Sequence, residues 1–521
     1  MQTLRPIQAA ALAEGERLGG VFVGARVGGG KTGVAALLPV LWAARGYHKP
    51  LILTSGAMRA ETEAAFAAMR VNWLVVRNYQ IESYSKLTRA NNADYLDRYR
   101  PDVIICDEAD ALRRLKDASV PRRLARYRDA QPHVRFAFMS GTFHKSGLLD
   151  YAHMLHWALG AASPLPTDAG ELTQWSQAID EGDGWGLRAL HGKYGCPEDW
   201  QAAKAWFRAR LHSWPGVVIS DDYYSGSRVE LDIVHADPGL ENEYERLRTY
   251  WERPDGWALA DASQDDAGAN LAAAASVWAV ARQMSLGFFY ACDPTPPPEW
   301  SQARRAYFRL VREAIASGGC DTELQVRQAC AAANAPPQEY LEWEALKNTF
   351  TPTSVPVWLD DSALRYAEAW GRQAPGLIWC EHTAFAIELA QRTGWEYYGA
   401  GGLCGDKHAR DASTAYPIIL SRQANYRGRN LQAWSRNLIM CPLAAARDVE
   451  QLFGRTQRDG QLSDVVHFTV YVSCLESANA LASAFVGAEH GKDTFTSPPI
   501  LLNAAVRIHG DRPRSRAWSA K

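Results

Sequence analysis

An α/β architecture, two parallel-sheet domains with helical insertions between and within them, is the fold class this sequence predicts. Three observations carry it. Short β-rich apolar runs alternate with helical segments through the first 150 residues, the same alternation returns after residue 372, and the stretches between are helical and rich in Trp and Ala. The expected boundaries are a first sheet domain over 1–150, a helical insertion over 151–225, a second sheet domain over 226–490 with its own helical insertion at about 238–372, and a C-terminal tail over 491–521.

In the first domain the apolar runs are 21–23, 51–53, 73–76, 103–105 and 136–139. After 150 the pattern turns helical, with Trp157, Trp175, Trp185, Trp200 and Trp206 expected in the core. A strand at 229–234 reopens sheet structure. Asp293-Pro294-Thr295-Pro296-Pro297-Pro298 is the clearest linker, and helical spacing resumes at Trp300, Ala303, Tyr307, Leu310 and Val311. Strand-forming runs at 377–379, 418–420, 438–440 and 465–472 complete the second sheet, with a helix over 384–391 between them.

Composition excludes several classes. With 521 residues, 47% hydrophobic and 22% charged, the chain is neither fibrous nor wholly disordered. No apolar run approaches the roughly 18 residues that cross a bilayer, and Met1 to Pro6 carry no signal-peptide pattern. The expectation is a cytoplasmic protein without a membrane partner. Nine cysteines form no CxxC pair and no zinc spacing, so they read as small buried hydrophobes. A net charge of −2 gives no global sign of nucleic-acid binding. Basic residues do cluster locally, at Arg113, Arg114, Lys116, Arg122, Arg123, Arg126 and Arg128 and again at Arg507, Arg512, Arg514, Arg516 and Lys521, where either a phosphate-binding face or a solvated one is expected.

The chemistry concentrates after the strands. Ala25 to Thr32 contains Gly28, Gly29 and Gly30 between an apolar strand and a helical pattern. Consecutive glycines let backbone N–H groups wrap a polyphosphate, and the helix that follows offers its positive end to the same anion. Lys31 would reach the β- and γ-phosphates and Thr32 would place a hydroxyl on Mg²⁺. The run 103–105 leads into Asp107 and Glu108, which can divide their labour: Asp107 for the metal, Glu108 to orient and deprotonate an attacking water. Thr54-Ser55 and Ser140-Gly141-Thr142 follow two more of the runs, so four loaded segments fall on the edge where parallel sheets bind ligands. Far downstream, Arg455 and Arg458 are spaced to share one helix face.

These residues resemble the superfamily 2 helicases and translocases, which are built from two RecA-like domains with ATP between them. Ala25 to Thr32 is similar to that family's AxxGxGKT motif, Asp107 to Asp110 spell its DEAD form, and Ser140 to Thr142 are similar to the segment that couples ATP state to nucleic-acid grip. Gln451 to Arg458 match QxxGRxxR, Leu4 to Gln8 look like its adenine-recognition segment, and Gly428 to Gln432 are similar to its fifth motif. Met139 to Phe143, Asn430 to Gln432 and Arg458 to Gln461 look more like the Swi/Snf-type branch and its phage-encoded relatives than the DEAD-box RNA helicases, although Asp110 stands where that branch usually has His.

The resemblance implies a DNA helicase or translocase driven by ATP and Mg²⁺, acting on single-stranded, duplex or forked DNA, in phage replication or recombination and with proteins of those processes as partners. An RNA helicase and an ATP-switched subunit of a nuclease or defence complex are the alternatives. It implies catalytic roles for Lys31, Glu108, Gln451, Arg455 and Arg458, nucleotide binding by Arg5, Gln8, Gly28, Gly29, Gly30, Lys31 and Thr32, and metal binding by Thr32 and Asp107. Ser140 and Thr142 would couple the cycle. Thr54, Ser55, Arg59, Tyr84, His382 and Gln432, with Arg77 and Asn78, are the expected nucleic-acid contacts.

Overall fold

A computed structural model describes the chain except for residues 1–2, 27, 90–91, 93, 114, 116–118, 142–146, 221–225, 258, 260–266, 318, 427–428, 495–498 and 511–521. The chain is α/β, with two large parallel sheets of six and seven strands. It divides into two compact units: the first comprises Met1–Tyr224, Glu299–Asn348 and Gly487–Pro499, the second Ser225–Pro298, Thr349–Val486 and Ile500–Lys521.

The first unit's strands are β1 (Val21–Gly24), β2 (Pro50–Thr54), β3 (Gln80–Ser83), β4 (Val103–Asp107), β5 (Arg135–Ser140) and β6 (Val217–Ile219), in the order β3-β2-β4-β5-β1-β6. Their apolar runs are continuous because both sheet faces are covered, as crossover helices require. Successive side chains alternate between two cores: Phe22, Leu51, Ile104, Phe136 and Phe138 enter one, Val21, Val23, Ile52, Val103 and Ile105 the other. Helices α1 (Pro6–Leu18) and α2 (Lys31–Ala43) cover the second core, with α3 (Arg59–Met69) contributing Phe66. Helices α4 (Tyr84–Thr88), α5 (Tyr95–Tyr99) and α6 (Ser119–Ala130) lie along the first. Beyond β5 come α7 (Ala152–Leu159), α8 (Ala169–Ser176), α9 (Gly184–Tyr194) and α10 (Trp200–Ser213). These four share the first core, and β6 pairs with β1, so the stretch after residue 150 is built into the sheet unit. Trp175 is fully enclosed there, whereas Trp185, expected in the core, is 59% exposed.

One expected strand is corrected. Residues 73–76 run as irregular chain, with Leu74 exposed and Val75 buried, and the strand forms instead at Gln80–Ser83. That strand is the sheet edge, half its side chains meet water, and its weak apolar signal follows from that position.

The second unit opens with β7 (Arg228–His235), α11 (Glu241–Tyr250), α12 (Ala267–Met284) and β8 (Phe288–Cys292). The Pro-rich linker ends where the chain passes into α13 (Pro298–Ala316), α14 (Glu323–Ala332) and α15 (Gln338–Leu346), whose residues 299–348 pack with the first unit. On return, β9 (Ser354–Trp358) pairs antiparallel with β8, two strands inside a stretch expected to be helical. Then follow α16 (Ser362–Gln373), β10 (Leu377–Cys380), α17 (Thr383–Thr393), β11 (Tyr397–Tyr398), the short pair β12 (Leu403–Cys404) and β13 (Lys407–His408), β14 (Ile418–Ser421), α18 (Arg422–Asn425), β15 (Arg436–Ile439), α19 (Ala446–Phe453), β16 (Val465–Val472) and, after residue 490, β17 (Ala505–His509). The seven-strand order is β11-β14-β10-β15-β16-β7-β17, parallel throughout. The segment expected as tail thus supplies an edge strand, held by Arg507 on Asp232 and Glu230; Arg512, Arg514, Arg516 and Lys521 lie outside the described residues.

Close backbone approach fixes the entry to β1. A Cβ at Gly20 would lie 1.9 Å from the carbonyl oxygen of Ala158 on α7. Gly20→Ala should destabilise the first unit by about 1–3 kcal/mol, the usual cost of overpacking; thermal unfolding that is unchanged from the parent would refute this contact.

Candidate nucleotide-binding site

The glycine loop joins β1 to α2. Gly28 and Gly30 hold left-handed backbone, φ 83° and 84°. A Cβ at Gly30 would sit 2.4 Å from Gln8 Nε2, and one at Gly29 would sit 3.0 Å from the Arg26 carbonyl. Gly30 is also the N-cap of the 13-residue helix α2 and brings no side chain to cap it. The Gly33 N–H bonds the Gly30 carbonyl at 2.9 Å, and no cap side chain competes with an anion for the N–H groups ahead of it, as a Ser or Asp would. Backbone donors of this kind suit a phosphate-bearing anion.

Two side chains from the chain's start hold the loop. Arg5 Nη1 donates to the Gly28 carbonyl and Gln8 Nε2 donates to the Gly30 carbonyl at 2.8 Å, while Gln8 Oε1 accepts from the Arg5 backbone N–H at 2.9 Å. Gln8 is buried, and its amide ties the N-terminal end of α1 to the loop.

Lys31 is 8% exposed. Its Nζ donates to the carbonyls of Ala25 at 2.9 Å and Arg26 at 3.3 Å and stands 3.7 Å from Glu108 Oε1. Thr32 follows it at partial exposure. Asp107 ends β4, which lies between β2 and β5, and Asp107 itself pairs with Met139. Its Oδ1 accepts the Glu108 backbone N–H at 3.0 Å. Burial first, then the neighbouring Glu108 carboxylate, push the Asp107 carboxyl up to about 7 against the pull of Lys31. Glu108 adopts left-handed backbone at φ 52°, an uncommon conformation outside glycine that a residue keeps only when its surroundings fix it. Ser140 Oγ donates to Asp110 Oδ1 at 3.2 Å and its carbonyl accepts the Ala25 N–H at 3.0 Å, so the loop, the acidic segment and the end of β5 are joined by hydrogen bonds. Thr142 lies outside the described residues.

The expected nucleic-acid contacts of this unit divide. Thr54 ends β2 and Ser55 follows it, both with buried hydroxyls that have no hydrogen-bond partner. Arg59 opens α3, 3.6 Å from Glu82. Arg77 and Asn78 lie on a cavity of about 420 Å³ with Tyr47 and Pro50, at the start of β2 and away from the loop-bearing edge. Tyr84 is corrected: it is buried, and its hydroxyl donates to the Asp107 carbonyl at 2.8 Å, so it braces the acidic segment instead of offering a face to bases. In the basic cluster Arg122, Arg123 and Arg126 form ion pairs with Asp321, while Arg114 and Lys116 lie outside the described residues.

In the second unit, α19 ends at Phe453, so Arg455 and Arg458 stand in the turns beyond it and not on a shared helix face. Arg455 is buried, with Nε donating to the Gln451 carbonyl at 2.7 Å and Nη1 to the Arg429 carbonyl at 3.3 Å. Arg458 is more open and donates to Asn430 Oδ1. Gln451 is buried on the last turn of α19, Gln432 is partly exposed, and Gly428 lies outside the described residues.

His382 belongs to a cluster that sequence reasoning did not foresee. Three neighbouring strands end together there, bringing Glu381 and His382 after β10, Arg422 after β14 and Cys441 after β15. Arg282 of α12 lies 2.5 Å from Glu381 Oε2 and Arg422 2.7 Å from Oε1. Burial raises the Glu381 carboxyl, but Arg422 and Arg282 outweigh it and hold it at about 2; burial lowers His382 to about 4. Glu381, His382 and Cys441 could group around a metal ion. The donor set does not suit one: two guanidiniums already neutralise the carboxylate and burial pushes the Cys441 thiol up. The cluster is an ion-paired brace. No sequence signal marks it, since Arg282 and Glu381 are 99 positions apart.

Fold and site together define a two-unit α/β chain whose first unit sets a glycine loop at a helix N-terminus and a buried lysine against adjacent carboxylates. No protein-family model matches the chain, and no characterised protein is detectably similar to it over its sequence.

The Asp107 carboxyl predicts a pH signature. Its folded value lies above the ordinary 3.8, so the native state holds the extra proton and its stabilising contribution falls as pH rises from near 3.8 and is lost above about 7. Asp107→Asn removes that loss, so the variant should gain stability relative to the parent across this window when the nucleotide-free proteins are unfolded in urea. A difference between the two that stays flat with pH would contradict the shift.

Proposed function

We propose that this chain is a nucleic-acid-stimulated ATPase of the superfamily 2 type, with two RecA-like units, that moves along or unwinds DNA. The single observation carrying the reading is the joining of the glycine loop, Lys31, Asp107, Glu108 and Ser140 by hydrogen bonds and one ion pair at the carboxyl end of adjacent parallel strands. Bound Mg²⁺ would neutralise phosphate charge during phosphoryl transfer. Gly28 to Gly30 and the start of α2 would hold the phosphates, with Lys31 turning from the Ala25 and Arg26 carbonyls toward them. Thr32 and Asp107 would hold the metal, and Glu108 would orient and deprotonate the attacking water. Arg5 and Gln8 already touch the loop, so adenine recognition by Gln8 would be felt in the loop's shape. Arg455 and Arg458 take the arginine-finger part on this reading, Gln451 supports Arg455 through its carbonyl, and the likeness to the Swi/Snf-type branch favours DNA over RNA. Among the described residues no helix is long and apolar enough to cross a membrane.

Lys31→Ala should lower ATP turnover by about 10² or more, the scale of losing one phosphate-stabilising donor, and Arg458→Ala by about 10³ with nucleotide still bound. Turnover measured with single-stranded DNA, duplex DNA, forked DNA and RNA should rise with one of the DNA forms. Stimulation by RNA alone would make the chain an RNA-dependent enzyme, and none by any polymer would favour an ATP-switched subunit. Full turnover in Lys31→Ala would remove the nucleotide assignment itself.

A further inference from the structure

Asp321 meets three guanidiniums of α6. Arg126 Nη2 lies 2.5 Å and Arg123 Nε 3.3 Å from its Oδ2, and Arg122 Nη2 lies 3.4 Å from its Oδ1. The Asp321 side chain is 7% exposed. Two of the arginines keep unused capacity. Arg123 Nη2 is buried without a hydrogen-bond partner, and the Arg126 side chain is 58% exposed. Arg122 also donates to the carbonyl of Ile315 at 2.8 Å, at the end of α13.

What Asp321 fastens is a small module with its own core. Tyr307, Val311, Val326 and Cys330 cluster inside α13–α15, with Tyr340 and Trp343 packed against them. The fastening to α6 is polar, through ion pairs and carbonyl acceptors, and α13–α15 need not lose their core to leave it. Polar docking of this kind is weakened by competing ions, whereas a shared apolar core would not be. The chain on both sides of the module belongs to the other unit, so the module is an excursion of that chain docked on the first unit's α6.

We propose that Arg122, Arg123 and Arg126 form a phosphate-binding triad on α6, and that Asp321 is a built-in carboxylate that covers it. A guanidinium fork donates to carboxylate and phosphate in the same geometry, and successive phosphates of a polyanion offer more acceptor oxygens to three forks than one carboxylate can. A phosphate-bearing polyanion and the module therefore compete for the same three side chains. The inference requires no nucleotide chemistry, so its test runs in the Lys31→Ala protein and its failure is separable from failure of the ATPase reading.

Hydrogen exchange of the full chain, with and without a short DNA duplex, should reveal loss of protection at Glu323–Ala332 and Gln338–Leu346 when duplex is added. Asp321→Asn should raise duplex affinity by about tenfold, the scale of one charge-assisted hydrogen bond. Arg126→Ala, at an exposed position, should lower it several-fold. Inorganic phosphate at matched ionic strength separates the sources: loosening by phosphate alone identifies a single phosphate group as the ligand, and loosening only by duplex identifies a backbone. Loosening by neither overturns the proposal. So does an Asp321→Asn protein whose module opens without a gain in affinity, or an Arg126→Ala protein that binds duplex as the parent does.

Discussion

The first unit depends on a buried ammonium that must be paired. Lys31 is nearly enclosed, and an isolated charge in that position would cost several kcal/mol. Its partners are two loop carbonyls and the Glu108 carboxylate, and each is placed by a separate constraint. The carbonyls of Ala25 and Arg26 turn inward because the loop doubles back through left-handed glycines. Glu108 arrives because β4 ends in the middle of the sheet and its backbone takes an αL turn that few non-glycine residues hold. Removing the Glu108 carboxylate would leave the ammonium with carbonyl dipoles alone. The geometry is therefore over-determined before a ligand enters, which is what electrostatic preorganisation requires.

What was legible in the sequence follows from what that constraint writes locally. A glycine run, a Lys-Thr pair and two carboxylates after an apolar run are consecutive residues, and their strand ends could be placed by counting. Fully covered strands were visible for the same reason, since a central parallel strand shows water neither face. The edge strand Gln80–Ser83 was hidden because Ile81 is its one apolar residue. Beyond α19, spacing misled: three residues between Arg455 and Arg458 mean one face only while the helix continues, and it stops at Phe453. Tyr84 was hidden in another way. Its aromatic ring reads as a stacking surface, and only the fold turns its hydroxyl onto the carbonyl of Asp107, 23 positions away.

The least legible features are the long-range ion pairs, and both units use the same device. Glu381 serves Arg282 and Arg422 in one, and Asp321 serves Arg122, Arg123 and Arg126 in the other. Each carboxylate joins elements separated by tens to hundreds of residues. Burying more guanidiniums than carboxylates is costly unless carbonyl oxygens share the load, and they do: Pro442 and Cys441 in the first case, Ile315 and Leu87 in the second.

The two braces differ in what lies beneath them, and that difference decides which can move. Arg282 sits on α12 beside Ala281 and Met284, which are buried in an apolar cluster with Phe289 and Cys474, so the Glu381 brace is backed by shared core. Separating it would expose apolar surface at roughly 25 cal/mol per Å² as well as two charges. The Asp321 brace has on its far side a module whose apolar cluster lies within residues 307–343. Separating that one exposes mainly ions, and water or another anion can compensate ions. A contact made of charge over a self-contained core is reversible on energetic grounds, whereas the Glu381 brace is held by both charge and packing.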